Sequence, residues 1–278
     1  MNLGAVRDQL AAFSPDALID TYALTRRDAE IAVDNLPPEV PAVVLSSQDV
    51  YEAFDGFLTG RPVASLPLRE DSALRTRRYL YGATPPTGVP AEYEKIDVEA
   101  VWSARGACIL RLPMVYGARD PQCREGFVLR RLASGRHAIP VGAGNLLWSR
   151  AHVADIAEVA AMAIEDTSTQ GTVMNIAEPT TPTIGQWMSQ IASAMNVEIE
   201  LVQVPEDALP PDLLLTKAHK QHVLADTRLA ETRLLQHRFS LGPRVSESVE
   251  WHLQRKTWVP WTDDDAETDD RALRHALV

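Results

Sequence analysis

Four short apolar runs rich in Val, Ile and Leu constrain the fold of this 278-residue chain more than any other feature. Their sequences are DALIDTY, PAVVLSS, ACILRLP and GTVMNIA. Near-continuous apolar runs of this length are typical of strands buried on both faces of a parallel sheet. Amphipathic segments separate and follow these runs, and the alternation predicts an α/β fold with right-handed crossovers.

The predicted helices span residues 92–105, 127–134, 153–165 and 184–195, after an initial amphipathic segment at residues 3–13. Thr183 and Gln186 have the spacing of a capping box at the start of the last of these helices. From residue 197 the sequence is interrupted by proline. We therefore expect a Rossmann-like domain with interleaved lobe segments at residues 1–196 and a smaller C-terminal lobe at 197–261. An acidic tail at 262–278 is expected to be solvated or frayed.

Composition and charge exclude several functional classes. The chain is 45% hydrophobic and 23% charged, as in ordinary globular proteins. Its formal net charge of -11 gives no basic surface for nucleic acid or an anionic membrane. The two cysteines, Cys108 and Cys123, are too few for a disulfide framework or a thiolate metal site, so we expect both to pack in the interior and no metal to bind. Without an apolar run of membrane-spanning length or a signal peptide at the N-terminus, a cytoplasmic location is predicted.

The sequence lacks the glycine-rich turn with which a doubly wound dinucleotide-binding fold normally begins. That turn and the helix after it hold the cofactor pyrophosphate through backbone N–H groups. The nearest candidate, VGAGNLLW, contains Gly142 and Gly144 but no third glycine, and no helical pattern follows it. We interpret it as a tight turn, and the predicted sheet is therefore N-terminally incomplete.

The order of five motifs carries a family resemblance. The motifs are SPDALIDTYA, VVLSSQDVY, YEKIDVE, LRLPMVYG, and RAHVADIAEVA together with GTVMNIAEPTTPT. From about Phe13 onward the chain resembles the NAD-dependent epimerase/dehydratase family of extended short-chain dehydrogenases/reductases. The resemblance implies a doubly wound Rossmann-like parallel sheet, NAD or NADP as cofactor, and a polar small-molecule substrate such as a sugar derivative.

The resemblance also implies catalytic residues. The family uses a Ser or Thr, a Tyr, and a Lys four residues after the Tyr, which also holds the nicotinamide ribose. Ser47 and Lys95 match, but Ala91 stands four residues before Lys95. Tyr93 stands only two residues before it, an offset that separates side chains on a regular helix. Either an irregular helix start brings Tyr93 to Lys95, or Tyr93 packs in the interior and Lys95 is solvated or ion-paired.

Asp49 is a second candidate for proton transfer. Dehydratases that this stretch resembles carry two consecutive acids, whereas here Gln48 takes the first position and Asp49 alone remains. One carboxylate cannot both donate and remove a proton without a partner. Ser47 and Asp49 have an alternative role, which is to satisfy backbone groups at the end of the strand.

Candidate substrate contacts follow from the later motifs. Arg111 matches an arginine of the family and lies in a predicted strand, where a structural ion pair is the alternative. Arg150 and His152 match positions that line the family's substrate cleft, with a structural role for His152 as the alternative. Met114 replaces an asparagine that contacts diphosphate in sugar-nucleotide enzymes, and methionine cannot donate that hydrogen bond.

The sequence thus predicts an NAD(P)-dependent reductase, epimerase or dehydratase, with a cofactor-free binding or scaffold protein of the same fold as the alternative. Cofactor binding by this chain is expected to be weak because the glycine-rich turn is missing. The edge of the DALIDTY strand is expected to be unpaired. Either Met1 is a misassigned start, or a second copy or a partner chain covers that edge.

Overall fold

The computed structural model describes residues 7–82, 84–86, 88–235 and 243–277. The chain divides into two units. Unit 1 comprises Met1–Pro113, Asp155–Ala177 and Ala225–Ser240, and unit 2 comprises Met114–Ala154, Glu178–Leu224 and Leu241–Val278. Each unit is built from three separate stretches of chain, so the interleaving is more extensive than the predicted boundary at residue 197 suggests.

The strands, numbered along the chain, are β1 (Leu18–Asp20), β2 (Ala42–Ser47), β3 (Cys108–Leu112), β4 (Met114–Tyr116), β5 (Ala138–Val141), β6 (Arg150–His152), β7 (Val173–Asn175) and β8 (Glu200–Gln203). The helices are α1 (Arg7–Phe13), α2 (Arg26–Asn35), α3 (Glu52–Thr59), α4 (Lys95–Arg105), α5 (Gly126–Ala133), α6 (Val153–Glu165), α7 (Ile184–Ala194), α8 (Arg228–Ala230), α9 (Val245–Arg255) and α10 (Asp263–Leu273). None of the helices in the described residues is long and apolar enough to cross a membrane.

Unit 1 contains a parallel sheet with strand order β1-β2-β3-β7. Its register pairs Ile19 with Val43, and Val44 with Ile109. The four strands lie within the four apolar runs of the sequence, which confirms the predicted α/β fold with a parallel sheet. Helices pack against the central strands β2 and β3. Val44 of β2, Ile109 of β3 and Trp102 of α4 are completely buried in one core cluster.

Strand β1 is an edge of this sheet, since among the described residues it pairs with β2 alone. A groove of about 530 Å³ runs beside it and is lined by residues 18–23 together with Arg27, Asp28, Ile31 and Ala32 of α2. Ile19 and Tyr22 are 37% and 65% exposed there. An apolar edge of this kind is a template for pairing with another strand.

Unit 2 contains two parallel strand pairs, β4 with β6 and β5 with β8, together with α5, α7, α9 and α10. The turn after β5 has the form expected from its glycines. Gly144 has a φ of +60°, and a Cβ on Gly142 would lie 2.8 Å from the carbonyl oxygen of Thr216. The close approach of the Thr216 backbone therefore explains these glycines, and no helix begins at this turn.

The acidic segment after residue 262 is an ordered helix, so the expectation of a frayed tail is wrong. Thr262 caps α10, and its hydroxyl and the Asp265 carboxylate form a reciprocal capping box. Asp269 accepts hydrogen bonds from Arg131 of α5 at 2.8 and 2.9 Å, and both side chains are 1% exposed. The carboxylates of α10 thus share the charge of the buried Arg131 with Asp212, which pairs with the same guanidinium at 2.8 Å.

Candidate functional site

Ser47 and Asp49 lie at the carboxyl end of β2, the end at which α/β sheets bind ligands. Ser47 caps the 3₁₀ turn Gln48–Val50, and its hydroxyl accepts a hydrogen bond from the Asp49 backbone N–H at 3.1 Å. Asp49 is 5% exposed. Ser47 thus fills the backbone role foreseen as its alternative, and its hydroxyl also interacts with that of Tyr93.

Tyr93 precedes α4 instead of lying on it. The helix begins at Lys95 because Glu94 is its N-cap and accepts a hydrogen bond from the Ile96 N–H at 3.1 Å. The predicted start at residue 92 is therefore wrong, and the argument from a two-residue helical offset does not apply. The Tyr93 hydroxyl, nearly buried at 8% exposure, donates to Asp49 Oδ2 at 2.7 Å.

Lys95 points toward the ends of two strands. Its ammonium donates to the carbonyl oxygens of Ala23 at 2.6 Å and Leu45 at 2.9 Å, and the residue is 6% exposed. Two of its three N–H groups are thus used within the described residues. Burial lowers the pKa of Lys95, and the nearby Asp49 carboxylate opposes that shift.

The Asp49 and Tyr93 side chains are both held toward their protonated forms. Burial raises the pKa of Asp49, and the hydrogen bond from Tyr93 and the charge of Arg75 oppose this only in part. Burial and the Asp49 carboxylate raise the pKa of Tyr93 well above its usual value, while a hydrogen bond with Ser47 opposes. Asp49 Oδ1 is buried and has no hydrogen-bond partner among the described residues. The Ser47, Asp49 and Tyr93 side chains therefore form one contact group that can hold and move protons.

An ion pair that sequence reasoning missed fixes this group. Arg75 donates to both carboxylate oxygens of Glu94 at 2.9 and 2.6 Å, and neither side chain is exposed. Arg75 Nε also donates to the Asp49 carbonyl oxygen at 2.8 Å. The pair thus ties the segment that carries Asp49 to the segment that carries Tyr93.

Arg75 begins a basic run that ends at Arg78, yet its charge is neutralised by Glu94 in the interior and does not form part of a solvated face. Arg78 remains partly exposed and also donates to Glu94, at 3.0 Å. The two partners stand 19 residues apart with no regular element pattern between them. No local signal in the sequence identifies such a contact.

Arg111 forms the structural ion pair that was the alternative to substrate binding. It donates to Glu99 of α4 at 2.8 to 3.3 Å and to the Tyr51 hydroxyl at 3.0 Å. Ser46 donates to the same Glu99 carboxylate at 2.6 Å. The Arg111 guanidinium is 5% exposed, so its charge is used to join β2, β3 and α4.

Arg150 and His152 lie on β6 in unit 2. The Arg150 guanidinium stacks on Trp187, 4.5 Å from the ring centroid, and the residue is 1% exposed. Its Nε and Nη1 atoms have no hydrogen-bond partner among the described residues. Burial lowers the pKa of Arg150 to about 10, against the charge of Glu178.

His152 is packed against Tyr116 with ring centroids 5.4 Å apart, and it is 4% exposed. Its Nδ1 accepts a hydrogen bond from the Ala154 N–H at 3.3 Å. A Cβ on Gly117 would lie 2.6 Å from His152 Nε2, so only glycine fits beside the ring. These contacts favour the structural role for His152.

Comparison with known proteins supports the fold. A family model described as the NAD dependent epimerase/dehydratase family matches residues 95–177. The chain has the fold of that family's enzymes. The family resemblance seen in the sequence is thereby confirmed, over the segment that holds Lys95, Arg111, Arg150 and His152. Comparison with curated proteins gives no match.

Three solved structures illustrate the likeness. The UDP-glucose 4-epimerase of Thermotoga maritima with UDP-glucose is 15% identical, with a TM-score of 0.61 over 92% of this chain and 82% of that chain. The UDP-glucose-4-epimerase of Stenotrophomonas maltophila with bound NAD is 12% identical, with a TM-score of 0.64 over 92% and 80%. The dTDP-glucose 4,6-dehydratase of Bacillus anthracis in complex with NAD is 15% identical, with a TM-score of 0.60 over 92% and 79%. At these identities the likeness shows the fold.

The residues present fit one end of a nicotinamide dinucleotide. Lys95 lies beside the carboxyl ends of β1 and β2 with one ammonium N–H still available, which suits a ribose hydroxyl. A pyrophosphate needs a row of backbone N–H groups at a helix N-terminus, usually in a glycine-rich turn. Among the described residues of unit 1, no helix begins in such a turn.

Proposed function

We propose that the protein is an NAD(P)-dependent reductase, epimerase or dehydratase that acts on a polar, sugar-derived metabolite. The hydrogen bond of 2.7 Å between Tyr93 and Asp49, at the carboxyl end of β2, is the observation that carries the proposal. From the sequence alone, Asp49 has no partner for proton transfer. In this proposal Tyr93 is that partner.

In the proposed mechanism a bound nicotinamide supplies the hydride acceptor or donor. The Ser47 hydroxyl donates a hydrogen bond to the substrate oxygen. Tyr93 passes its proton to that oxygen, and Asp49 moves a proton to or from the Tyr93 phenol through their shared hydrogen bond. The raised pKa of Asp49 favours its protonated form and supports its role as a proton donor, whereas the raised pKa of Tyr93 keeps the phenol protonated until a base draws its proton away. Lys95 contributes positive charge beside Asp49 and holds the cofactor ribose.

Within unit 2, Arg150 has the chemistry of an anion-binding residue. A buried guanidinium with two unpartnered donor atoms gains charge-assisted hydrogen bonds when a phosphate or carboxylate reaches it. The related folds contain UDP- or dTDP-sugar enzymes, and we extend that substrate class to this chain. Met114 removes one amide contact, so the diphosphate would rely more on arginine.

The test is turnover of UDP- and dTDP-hexoses with saturating NAD⁺ or NADP⁺, followed by product chromatography. Tyr93→Phe and Asp49→Asn should each lower kcat by about 10²- to 10⁴-fold, the usual contribution of a positioned acid or base. Tyr79→Phe is the matched control, because the Tyr79 side chain is half exposed. Unchanged kcat in both site variants would overturn the proposed roles.

A cofactor-free binding or scaffold protein is the second candidate. The observation that favours it is the Lys95 ammonium, which donates to two main-chain carbonyls and not to Tyr93. Lys95 then serves to join the ends of β1 and β2 to α4. The discriminating result is saturable binding of a UDP-hexose, measured by calorimetry, with no product formed at any cofactor concentration.

A further inference from the structure

A second cluster of titratable side chains lies in unit 2, apart from the residues discussed above. Cys123 and Glu125 belong to the turn before α5, and His252 belongs to α9. His252 Nδ1 lies 3.4 Å from the Cys123 sulfur, and His252 Nε2 lies 3.4 Å from Glu125 Oε2. His252 and Glu125 are completely buried. The three side chains thus form a row of thiol, imidazole and carboxylate.

Two hydroxyl groups fix the geometry of this row. Ser248 donates to Glu125 Oε1, and Thr257 contacts both His252 Nδ1 and the Cys123 sulfur, the latter at 3.5 Å. An imidazolium donates from both ring nitrogens, so it matches a thiolate on one side and a carboxylate on the other. Burial alone would lower the pKa of His252, but the contacts with Cys123 and Glu125 raise it to about 10.

Both cysteines are buried, as the sequence predicts, but their surroundings differ. Cys108 is completely buried in β3, and the contact of its sulfur is with the Thr172 hydroxyl at 3.9 Å. Burial raises the pKa of the Cys108 thiol. Cys123 is 9% exposed and stands in a turn, with a φ of +42° that is unusual for a residue with a Cβ. Strained positions of this kind point to a functional constraint.

We propose that Cys123 is a peroxide-reactive thiolate, a redox modification site in which His252 is the ion-pair partner and Glu125 orients His252. The thiolate is the reactive form of cysteine, and a neighbouring imidazolium stabilises it. The Cys123 sulfur attacks one oxygen of the peroxide, an S–O bond forms and the O–O bond breaks. Sulfur is oxidised by two electrons to the sulfenic acid. The hydroxide that leaves takes the His252 proton, which gives water and a neutral imidazole.

The charged groups around His252 support this assignment. The described contacts of its ring are with Cys123 and Glu125 and with the uncharged Thr257 and Trp251, and Glu125 also interacts with the charge of Arg150. Arg124, the remaining charge in the same turn, pairs with Asp120 at 2.8 Å. His252 is therefore the cation that faces the thiol.

The experiment treats the native 278-residue protein with hydrogen peroxide, traps sulfenic acid with dimedone and quantifies both cysteine peptides by mass spectrometry. An ordinary thiol is about 1% ionised at pH 6.5. An ion-paired thiolate is largely ionised but intrinsically less nucleophilic, so the net gain is about tenfold. We expect Cys123 in the wild type to be labelled about tenfold faster at pH 6.5 than in His252→Gln. The labelling rate of Cys123 in Glu125→Gln should lie between those of the wild type and His252→Gln.

The pH profile separates an ion pair from a packing contact. At pH 9.5 the advantage of the wild type over His252→Gln should fall below about threefold, because an ordinary thiol at that pH needs no neighbouring cation to become a thiolate. Cys108 is the internal control for folding, since its labelling reports an unfolded variant. If His252→Gln unfolds, the pH dependence of Cys123 labelling in the wild type alone tests the proposal. No labelling of Cys123 at any pH, or a rate that rises with pH like that of free cysteine, would overturn the proposal.

Discussion

Replacing Glu94 with Gln is the substitution that tests most directly how the candidate site is held. The Glu94 carboxylate is completely buried. It accepts hydrogen bonds from Arg75, from Arg78 and from the backbone N–H groups of Tyr79 and Ile96. Glutamine keeps the shape but loses the charge, which leaves the buried Arg75 guanidinium without its counterion.

The magnitude follows from the electrostatics of the pair. Burial alone would raise the pKa of Glu94, but hydrogen bonds from Arg75, the Tyr79 backbone and Arg78 lower it from 4.5 to about 2. By linkage this shift is worth about 3 kcal/mol of folding free energy. Removing one partner of a buried ion pair typically costs about 3 to 5 kcal/mol. Glu94→Gln should therefore lower the free energy of unfolding by about 3 kcal/mol or more at pH 7.

The pH dependence has a defined sign. Because the pKa of Glu94 is depressed on folding, its contribution is complete above pH 4.5 and is lost as the pH falls toward 2. About 2 kcal/mol of it should be gone at pH 3. The difference in stability between the wild type and Glu94→Gln should therefore contract between pH 5 and pH 3.

The assay is urea unfolding followed by the fluorescence of the six tryptophans, repeated across this pH range. Glu92→Gln is the matched control, since Glu92 is exposed and two residues away. A loss below about 1 kcal/mol for Glu94→Gln at pH 7, or a difference that does not change with pH, would refute the reasoning.

Three further substitutions test other parts of the structure. In a spectrophotometric titration, Tyr93→Phe identifies the tyrosinate absorbance step that belongs to Tyr93. That step should move to lower pH in Asp49→Asn, because the Asp49 carboxylate raises the pKa of Tyr93. A step that stays at the same pH would contradict the contact between the two side chains. Asp269→Asn should lower the free energy of unfolding by about 1.5 to 3 kcal/mol, because the buried Arg131 loses one of its two carboxylate partners and keeps Asp212, and an unchanged free energy would count against a docked α10. The exposed edge of β1 should make the wild type self-associate with concentration in sedimentation velocity, and Ile19→Lys should abolish this; a wild type that stays monomeric would remove the edge as an interface.

Local sequence patterns correctly predicted the strands and the helix cap that are determined by residues close together in the sequence. The four apolar runs became β1, β2, β3 and β7. Thr183 and Gln186 form the capping box expected at α7. Ser47 and Lys95 lie at the carboxyl ends of strands, where the motif order placed them.

The contacts that define the candidate site depend on residues distant in the sequence, which explains the errors. Tyr93 and Asp49 are 44 residues apart, and neither has a local pattern that names the other. The start of α4 was misjudged because Glu94 leaves the helix to cap it and to bind Arg75. The ordered α10 depends on ion pairs with arginines that lie more than 130 residues earlier, so no local pattern distinguishes it from a frayed tail.

We propose that the Tyr93–Asp49 pair and Lys95 serve the proton-transfer and ribose end of a nicotinamide site, although no helix in the described part of unit 1 begins in a glycine-rich pyrophosphate turn. Isothermal titration calorimetry of the 278-residue chain with NAD⁺, NADH, NADP⁺ and NADPH tests it most directly. We expect dissociation constants in the millimolar range or weaker, about -4 kcal/mol of binding free energy. Micromolar binding of any of the four nucleotides would contradict the claim.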